Sequence, residues 1–478
     1  MNVQAAIASE YRLNIGGSLR EGTTFAEVIN PATEQKLANV PLATAADLDE
    51  AIAMARAALP RWAGDSDARR ASLARGAEVV NSNAERLAAT LASEIGIPLK
   101  LAQMEAAGAA AFLQYRSLDE SKVDVIVDDA RQRISVRRTA IGVMGAILPW
   151  NAPLLVASEK LATAISAGNT VVIKPSLHAP LTVLALGELL ADVFPAGVLS
   201  VLPGGDDLGK ALVAHPDVKM ISFTGSIAAG QAIMTAAAPG LKRLSLELGG
   251  NDAAIVLPDA DVKSVARKIF MGAFFRSGQI CVAIKRLYVH ESVHDALVAE
   301  LKALAEATVP GDPFDPATTM GPVSNRPQFE RVQDIVARSL GSDGTAVTGG
   351  EPLDREGFFY PPTILTDLPA DAPAIVEEQF GPVLPVIRYT DIDDAISAAN
   401  STQYGLGGSV WGSDTNAALA VAARLESGTA WVNQHGIVMP HIPCGGMKLS
   451  GLGRANGQVG LDSYSELQTI SMALPKTV

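Results

Sequence analysis

From Ile141 onward, short apolar runs alternate with stretches of helical periodicity, the pattern of a parallel sheet wrapped by helices. Val171-Val172-Ile173-Lys174 reads as a buried strand that ends in a lysine, and Met220–Thr224 as another that turns at Gly225-Ser226 into a helix. Arg243–Gly250 alternates, so Leu244, Leu246 and Leu248 share one face of a strand while Ser245 and Glu247 share the other. Such sheets take ligands beyond the carboxyl ends of their strands. A chain of 478 residues exceeds what one core supports, so two or three domains are expected.

Before the sheet pattern begins, residues 45–59 and 66–95 carry helical periodicity, with Leu48, Ile52, Ala55 and Leu59 in the first and Leu73, Ala77 and Val80 in the second. Val123–Asp128 and Gln132–Arg137 alternate about Asp129-Ala130, a β-hairpin whose edge needs covering. The tail alternates again from Leu461.

Charge and cysteine content exclude several function classes. A net charge of −13 without a basic patch argues against a nucleic-acid partner and weakly disfavours strongly anionic substrates. Cys281 and Cys444 cannot build a disulfide framework and offer no metal-ligand spacing, so no metal site is expected and a reducing cytoplasm fits. The first ten residues lack the basic and apolar regions of a secretory signal. Ala140–Ala157 is uncharged, but Gly142, Gly145, Pro149, Asn151 and Pro153 punctuate it, so no membrane span is expected.

Three stretches carry candidate chemistry. Val262, Val265, Ala266, Ile269, Phe270 and Ala273 recur at helical spacing, and Ser277-Gly278 breaks that pattern just before Cys281. By itself such a thiol reads as a small buried hydrophobe. Glu247 lies on the polar face of its strand, and Asn151 follows the rigid turn Ile147-Leu148-Pro149-Trp150.

In order, wording and spacing these stretches resemble the NAD(P)-dependent aldehyde dehydrogenase superfamily. The proline-tryptophan-asparagine turn, the glutamate-leucine-glycine-glycine strand end and the glycine-glutamine-x-cysteine loop all appear, with Cys281 34 positions after Glu247. The likeness runs from Asn30-Pro31-Ala32-Thr33 to Lys448–Arg454. It implies an α/β fold with two doubly wound Rossmann-type domains and a small β oligomerisation arm. The dinucleotide-binding domain would hold residues 1–121 and 142–249, the catalytic domain 250–446, and the arm 122–141 and 459–478. The arm would join a neighbouring subunit in a homodimer or homotetramer.

The resemblance also implies roles. Cys281 would attack an aldehyde to give a thiohemiacetal and, after hydride loss to nicotinamide, a thioester. Asn151 and the Cys281 N–H would stabilise the oxyanion. Glu247 would activate water for hydrolysis to the free acid. A CoA-acylating semialdehyde dehydrogenase and a catalytically retired structural or binding protein are the alternatives. No standard dinucleotide fingerprint is present, since Gly451–Gly457 has the wrong spacing.

By position in the family, NAD would instead meet Ser226 and Trp150 at the pyrophosphate, Lys174 at the adenosine ribose, Gly205 on the adenosine side, and Glu378 with Phe380 at the nicotinamide end. Ile147, Phe223 and Leu248 complete the set. Leu177 stands where NAD-selective members often carry a glutamate, so NADP is expected to be accepted as well. The aldehyde would lie among Ala152, Leu155, Val156, Glu159, Phe275, Ile280 and Val282, with His435 a possible hydrogen-bond partner. A small Ala152 makes room for a hydrophobic or aromatic aldehyde, and with no basic residue among these positions, semialdehyde acids are less favoured.

Overall fold

A computed structural model describes residues 10–120, 123–341 and 343–475. Its first sheet has eight strands, of which five run parallel in the order Arg243–Glu247, Val218–Thr224, Val143–Ile147, Thr170–Lys174 and Leu199–Val201. Val143–Ile147 and Thr170–Lys174 are buried almost throughout, because helices cover both faces. Chain order runs one way from Val143–Ile147 and returns on its other side at Val218–Thr224, so the topological switch falls between these two strands. Register sets Ile147 against both Lys174 and Phe223, and Thr224 against Glu247, which lines up four strand ends on one edge. That edge is where an open α/β sheet forms a crevice.

A second sheet has seven strands, with Ile284–His290 and Gly407–Trp411 flanking Asp252–Val256 in parallel. Only its edge strand Thr345–Thr348 is antiparallel. The chain later rejoins the first sheet, where Gly451–Leu452 pairs with Leu246 and Glu247. Val123–Asp128, Gln132–Ala140 and Ser465–Ala473 form a separate antiparallel ribbon, with the last strand paired from Ala140 to Gln132. Val123, Ile126 and Leu467 are exposed on it. Among the described residues no helix is long and apolar enough to cross a membrane, and no group of three or more His, Cys, Asp or Glu could hold a metal.

Three local expectations need correction. The periodic stretch 66–95 is two helices, Ser66–Ser82 and Ala84–Ile95. Asn83 turns its amide back to the Val79 carbonyl at 2.8 Å and leaves helical geometry at φ −114°, ψ 16°. The first helix does not stop before Pro60; it continues to Gly64 because Trp62 is buried and donates its indole N–H to the Asn169 carbonyl at 3.1 Å. The tail begins as a helix, Gly457–Ser463, with Gly460 and Leu461 buried, and becomes a strand at Ser465.

Two helix starts near the crevice are capped from outside. The residues before Pro153–Ser166 and Leu181–Leu189 are Ala152 and Pro180, which have no side chain able to accept a hydrogen bond. Glu105, from the helix Leu99–Arg116, accepts the amides of Leu154 and Leu155 at 3.0 Å each. Glu94, from Ala84–Ile95, accepts the amides of Leu181 at 2.7 Å and Thr182 at 2.9 Å, and also the Thr182 hydroxyl. Both carboxylates are buried and meet the positive end of a helix dipole. Glu94→Ala strands two amides and a hydroxyl in the interior, at about 1–3 kcal/mol for each unpaired group. Thermal unfolding followed by circular dichroism is expected to shift down by several degrees, and Glu94→Gln by less; an unchanged midpoint in Glu94→Ala would overturn the capping role.

Candidate active site

The helix Val262–Phe274 delivers the chain to a left-handed turn. Arg276 (φ 54°), Ser277 (φ 57°) and Gly278 (φ 70°) lie there in succession, a conformation that costs non-glycine residues about 1–2 kcal/mol each. Glycine is required at 278 because a Cβ would run into the Gly381 carbonyl. Side chains anchor the turn on both flanks. The Ser277 hydroxyl donates to the Gly321 carbonyl at 2.8 Å, and the Gln279 side-chain oxygen accepts the Ser324 amide at 2.8 Å. Beyond it, Lys285 Nζ donates to the carbonyls of Ile280 at 2.7 Å and Cys281 at 2.8 Å.

This loop presents Cys281 half-buried, with a thiol pushed up to about 12 by burial and, more weakly, by Glu378, Asp252 and Glu247, against the opposing charge of Lys285. Gly249 and Gly250 allow the strand end that carries Glu247 to pass beside it. A Cβ at Gly249 would strike the Glu378 carboxylate, and one at Gly250 would come within 2.5 Å of the Cys281 carbonyl. Asn151 meets the loop from the other side, its Nδ2 donating to the Gln279 carbonyl at 2.9 Å. One amide hydrogen remains uncommitted by that bond.

Glu247 ends its strand with Oε1 buried and, among the described residues, without a hydrogen-bond partner. Burial pushes its carboxyl up to about 8; Lys160 and Arg454 oppose the rise and Glu159 adds to it. Lys160 is itself buried and donates to Ser222 Oγ at 2.7 Å, which lies 2.7 Å from the Tyr464 hydroxyl.

On the sheet edge, buried Lys174 makes one long contact, 3.5 Å, to the Pro175 carbonyl, and burial lowers its pKa against the pull of Asp206. Gly205 is exposed, and a Cβ there would meet nothing within 4 Å. Ser226 caps the helix Ile227–Ala237 by accepting the Ala229 amide at 3.3 Å. Glu378 accepts the Gly250 amide at 2.9 Å and lies 3.6 Å from Lys285. Phe380 meets Trp150 edge-on with ring centres 5.3 Å apart. Phe223 and Leu248 are buried among Ile221, Leu246 and other core side chains, which leaves only their backbones for a ligand.

Ala152, Leu155, Val156 and Glu159 are all half-exposed while Leu154, Ala157 and Ser158 are buried, so the helix Pro153–Ser166 turns one stripe toward open space. Phe275 and Ile280 are half-buried, and Val282 packs with Leu406 and Trp431 under Ile280 and Cys281. His435 departs from expectation. Nδ1 lies 3.0 Å from Ser409 Oγ, Nε2 lies 2.7 Å from the Val282 carbonyl, and burial pushes the ring down to about 3. Both nitrogens are engaged, so His435 supports the backbone beside Cys281 and has none left for a substrate.

Sequence reasoning missed Arg276, Glu105 and Lys285, whose contacts span distant segments, and the walls of a cavity of about 230 Å³ bounded by Trp431, Ile437, Val438, Ile442 and Cys444. The clustering of Ile437, Val438 and Met439 in an exposed loop was the one available signal for that cavity.

Residues 19–470 match the model of the aldehyde dehydrogenase family. A mitochondrial aldehyde dehydrogenase of Leishmania tarentolae is 39% identical over 95% of this chain and 92% of its own length. A phenylacetaldehyde dehydrogenase of Pseudomonas fluorescens is 37% identical over 93% of this chain and 92% of its own. Among solved structures, an NADP-dependent enzyme of E. coli superposes with a TM-score of 0.95 at 34% identity, covering 99% of this chain and all (100%) of that one. An NAD+ complex of an aldehyde dehydrogenase from Bacillus cereus superposes with a TM-score of 0.95 at 32% identity, covering 99% and 98%.

A thiol held near 12 has little thiolate at neutral pH. Alkylation of Cys281 by iodoacetamide in the free protein, followed by peptide mass spectrometry, is therefore expected to be slower than that of a free thiol and to accelerate with pH without levelling. Lys285→Met should slow it further. A plateau below about pH 9 would contradict the burial that sets this thiol.

Proposed function

Because the chain belongs to the aldehyde dehydrogenase family, an oxidoreductase family, we propose that it oxidises a hydrophobic or aromatic aldehyde to the free acid with NAD, using Cys281 as nucleophile. The observation that carries this reading is the meeting of three segments at one thiol. Asn151 is hydrogen-bonded to the residue two before Cys281, and the strand that ends in Glu247 continues directly beneath the Cys281 carbonyl.

An aldehyde carbon lacks electrons, so a nucleophile must add before it can lose hydride. The Cys281 thiol gives up its proton to solvent water, and its sulfur adds to that carbon as the carbonyl electron pair moves to oxygen, giving a thiohemiacetal alkoxide. The remaining Asn151 amide hydrogen and the Cys281 N–H donate to this oxygen; such a donor typically contributes about a hundredfold in rate. When bound, nicotinamide supplies the acceptor for the hydride, and the adduct becomes a thioester on Cys281. Glu247, whose Oε1 has no competing donor among the described residues, then takes a proton from the water that attacks the acyl carbon. Cys281 leaves as thiolate and the acid departs.

The cofactor reading rests on fit. Lys174 holds donors that the protein leaves nearly unused, Gly205 leaves space for a ligand, and Glu378 reaches to both Gly250 and Lys285. Ser226 caps the helix start that would meet a pyrophosphate. Leu177 adds no carboxylate to the Asp206 that already acts on Lys174, which favours acceptance of NADP alongside NAD. Aldehyde choice follows from the stripe of Ala152, Leu155 and Val156 and from the apolar cavity beside Cys444. We take residues 1–121 and 142–249 as the cofactor unit and 250–446 as the catalytic unit. The exposed apolar side chains of the ribbon suit pairing in a homodimer or homotetramer.

Cys281→Ala is expected to abolish NADH formation from phenylacetaldehyde, and wild-type turnover by that variant would refute the nucleophile. Glu247→Gln should keep the pre-steady-state burst of NADH and lose subsequent turnover. Because burial raises this carboxyl to about 8, the base is present above that pH and lost as pH falls through it. Steady-state turnover limited by hydrolysis should rise with a midpoint near it, and Glu247→Gln should flatten the profile. For cofactors, a kcat/KM ratio favouring NAD over NADP by more than about a thousandfold, about 4 kcal/mol, would exclude shared use.

A further inference from the structure

We propose that Arg276 and Glu105 form a positioning device that sets the Asn151 amide over Cys281, an inference that rests on the reading of Asn151 as oxyanion donor. Arg276 is 8% exposed and Glu105 5%, and the guanidinium Nη2 bonds Glu105 Oε2 while Nη1 donates to the Asn151 carbonyl at 2.7 Å. The other oxygen of Glu105 holds the Leu154 and Leu155 amides. One buried ion pair thus grips the cysteine turn, the backbone of the oxyanion donor and the start of the helix that carries the substrate-facing stripe.

Stability does not explain its presence. A buried pair gives up hydration that its mutual attraction barely restores, and apolar replacements of similar volume are often neutral or stabilising. What an apolar pair cannot supply is direction. A guanidinium is a planar fork that satisfies a carboxylate and a carbonyl at fixed angles, whereas a lysine ammonium reaches one of them as a point charge. Asn151 is then held at two points, its main-chain carbonyl by Arg276 and its side-chain Nδ2 by the Gln279 carbonyl. Both holds come from the loop that carries Cys281, so donor and nucleophile move together. A misplacement of about 1 Å at such a site can cost about a hundredfold in rate.

The test uses the full-length enzyme with NAD and phenylacetaldehyde as probe. Arg276→Lys keeps the charge beside Glu105 but loses the fork, and Glu105→Gln keeps an acceptor for the two amides and loses the charge. The readouts are the NADH burst rate per active site, with sites counted by burst amplitude, and the NAD dissociation constant from tryptophan quenching. Each variant is expected to slow the burst at least tenfold with NAD affinity within twofold. Asn151→Ala should cost at least tenfold less in the Arg276→Lys background than in the wild type, because the amide is already displaced. A purely structural pair would lower burst amplitude alone, leave the rate per site unchanged, or give fully additive effects, and any of these overturns the inference. A full burst rate in Asn151→Ala alone would instead overturn the oxyanion reading and this inference with it; that arm leaves Arg276 untouched, so the two failures are told apart.

Discussion

A left-handed turn of three residues before Cys281 is the constraint on which the site depends. An isolated chain would avoid it at Arg276 and Ser277, so it persists only where the surroundings fix it more strongly than it relaxes. Those surroundings come from far apart in the chain: Gly321 and Ser324 on one flank, Glu105 and Asn151 on another, Lys285 beyond. The two sheets provide the rigid edges from which these groups reach. Folding of both is therefore a condition for the thiol to point where it does.

Burial sets the second constraint. Glu247 and Glu159 share the neighbourhood of one buried lysine, and in both carboxyls desolvation outweighs its attraction, so each is pushed up. A base raised in this way is better matched to neutral water than a solvated glutamate. The thiol is raised by the same cause, which keeps it quiet until a positive charge or a reacting carbonyl arrives. In the proposed mechanism a single physical effect thus tunes the groups for successive steps.

Much of this was legible from residue order. Unbroken apolar runs such as Val171–Ile173 and the alternation of Arg243–Gly250 gave strands, because buried and half-buried strands differ in period. Cys281, Glu247 and Asn151 were singled out by the family resemblance of their three stretches, since each alone reads as an ordinary core, strand or turn residue. Glu105 and Arg276 did not, since a buried ion pair between residues 171 positions apart leaves no local pattern. His435 misled because a histidine in a loop shows nothing of the hydroxyl donor and the carbonyl acceptor waiting for its ring. Asn83 and Pro60 misled in opposite directions: a side chain competing for a carbonyl ended one helix, while the burial of Trp62 carried another through a proline.

Tyr464 lies one residue before the closing strand of the ribbon, yet its hydroxyl completes the bond from Lys160 through Ser222, and its carbonyl accepts from Asn169. During synthesis Asn169 leaves the ribosome 295 residues, and Ser222 242 residues, earlier than the tyrosine they await. The polar chain beside Glu247 therefore closes only after Tyr464 has been made, and a polypeptide that stopped short of it would carry Cys281, Glu247 and Asn151 without it.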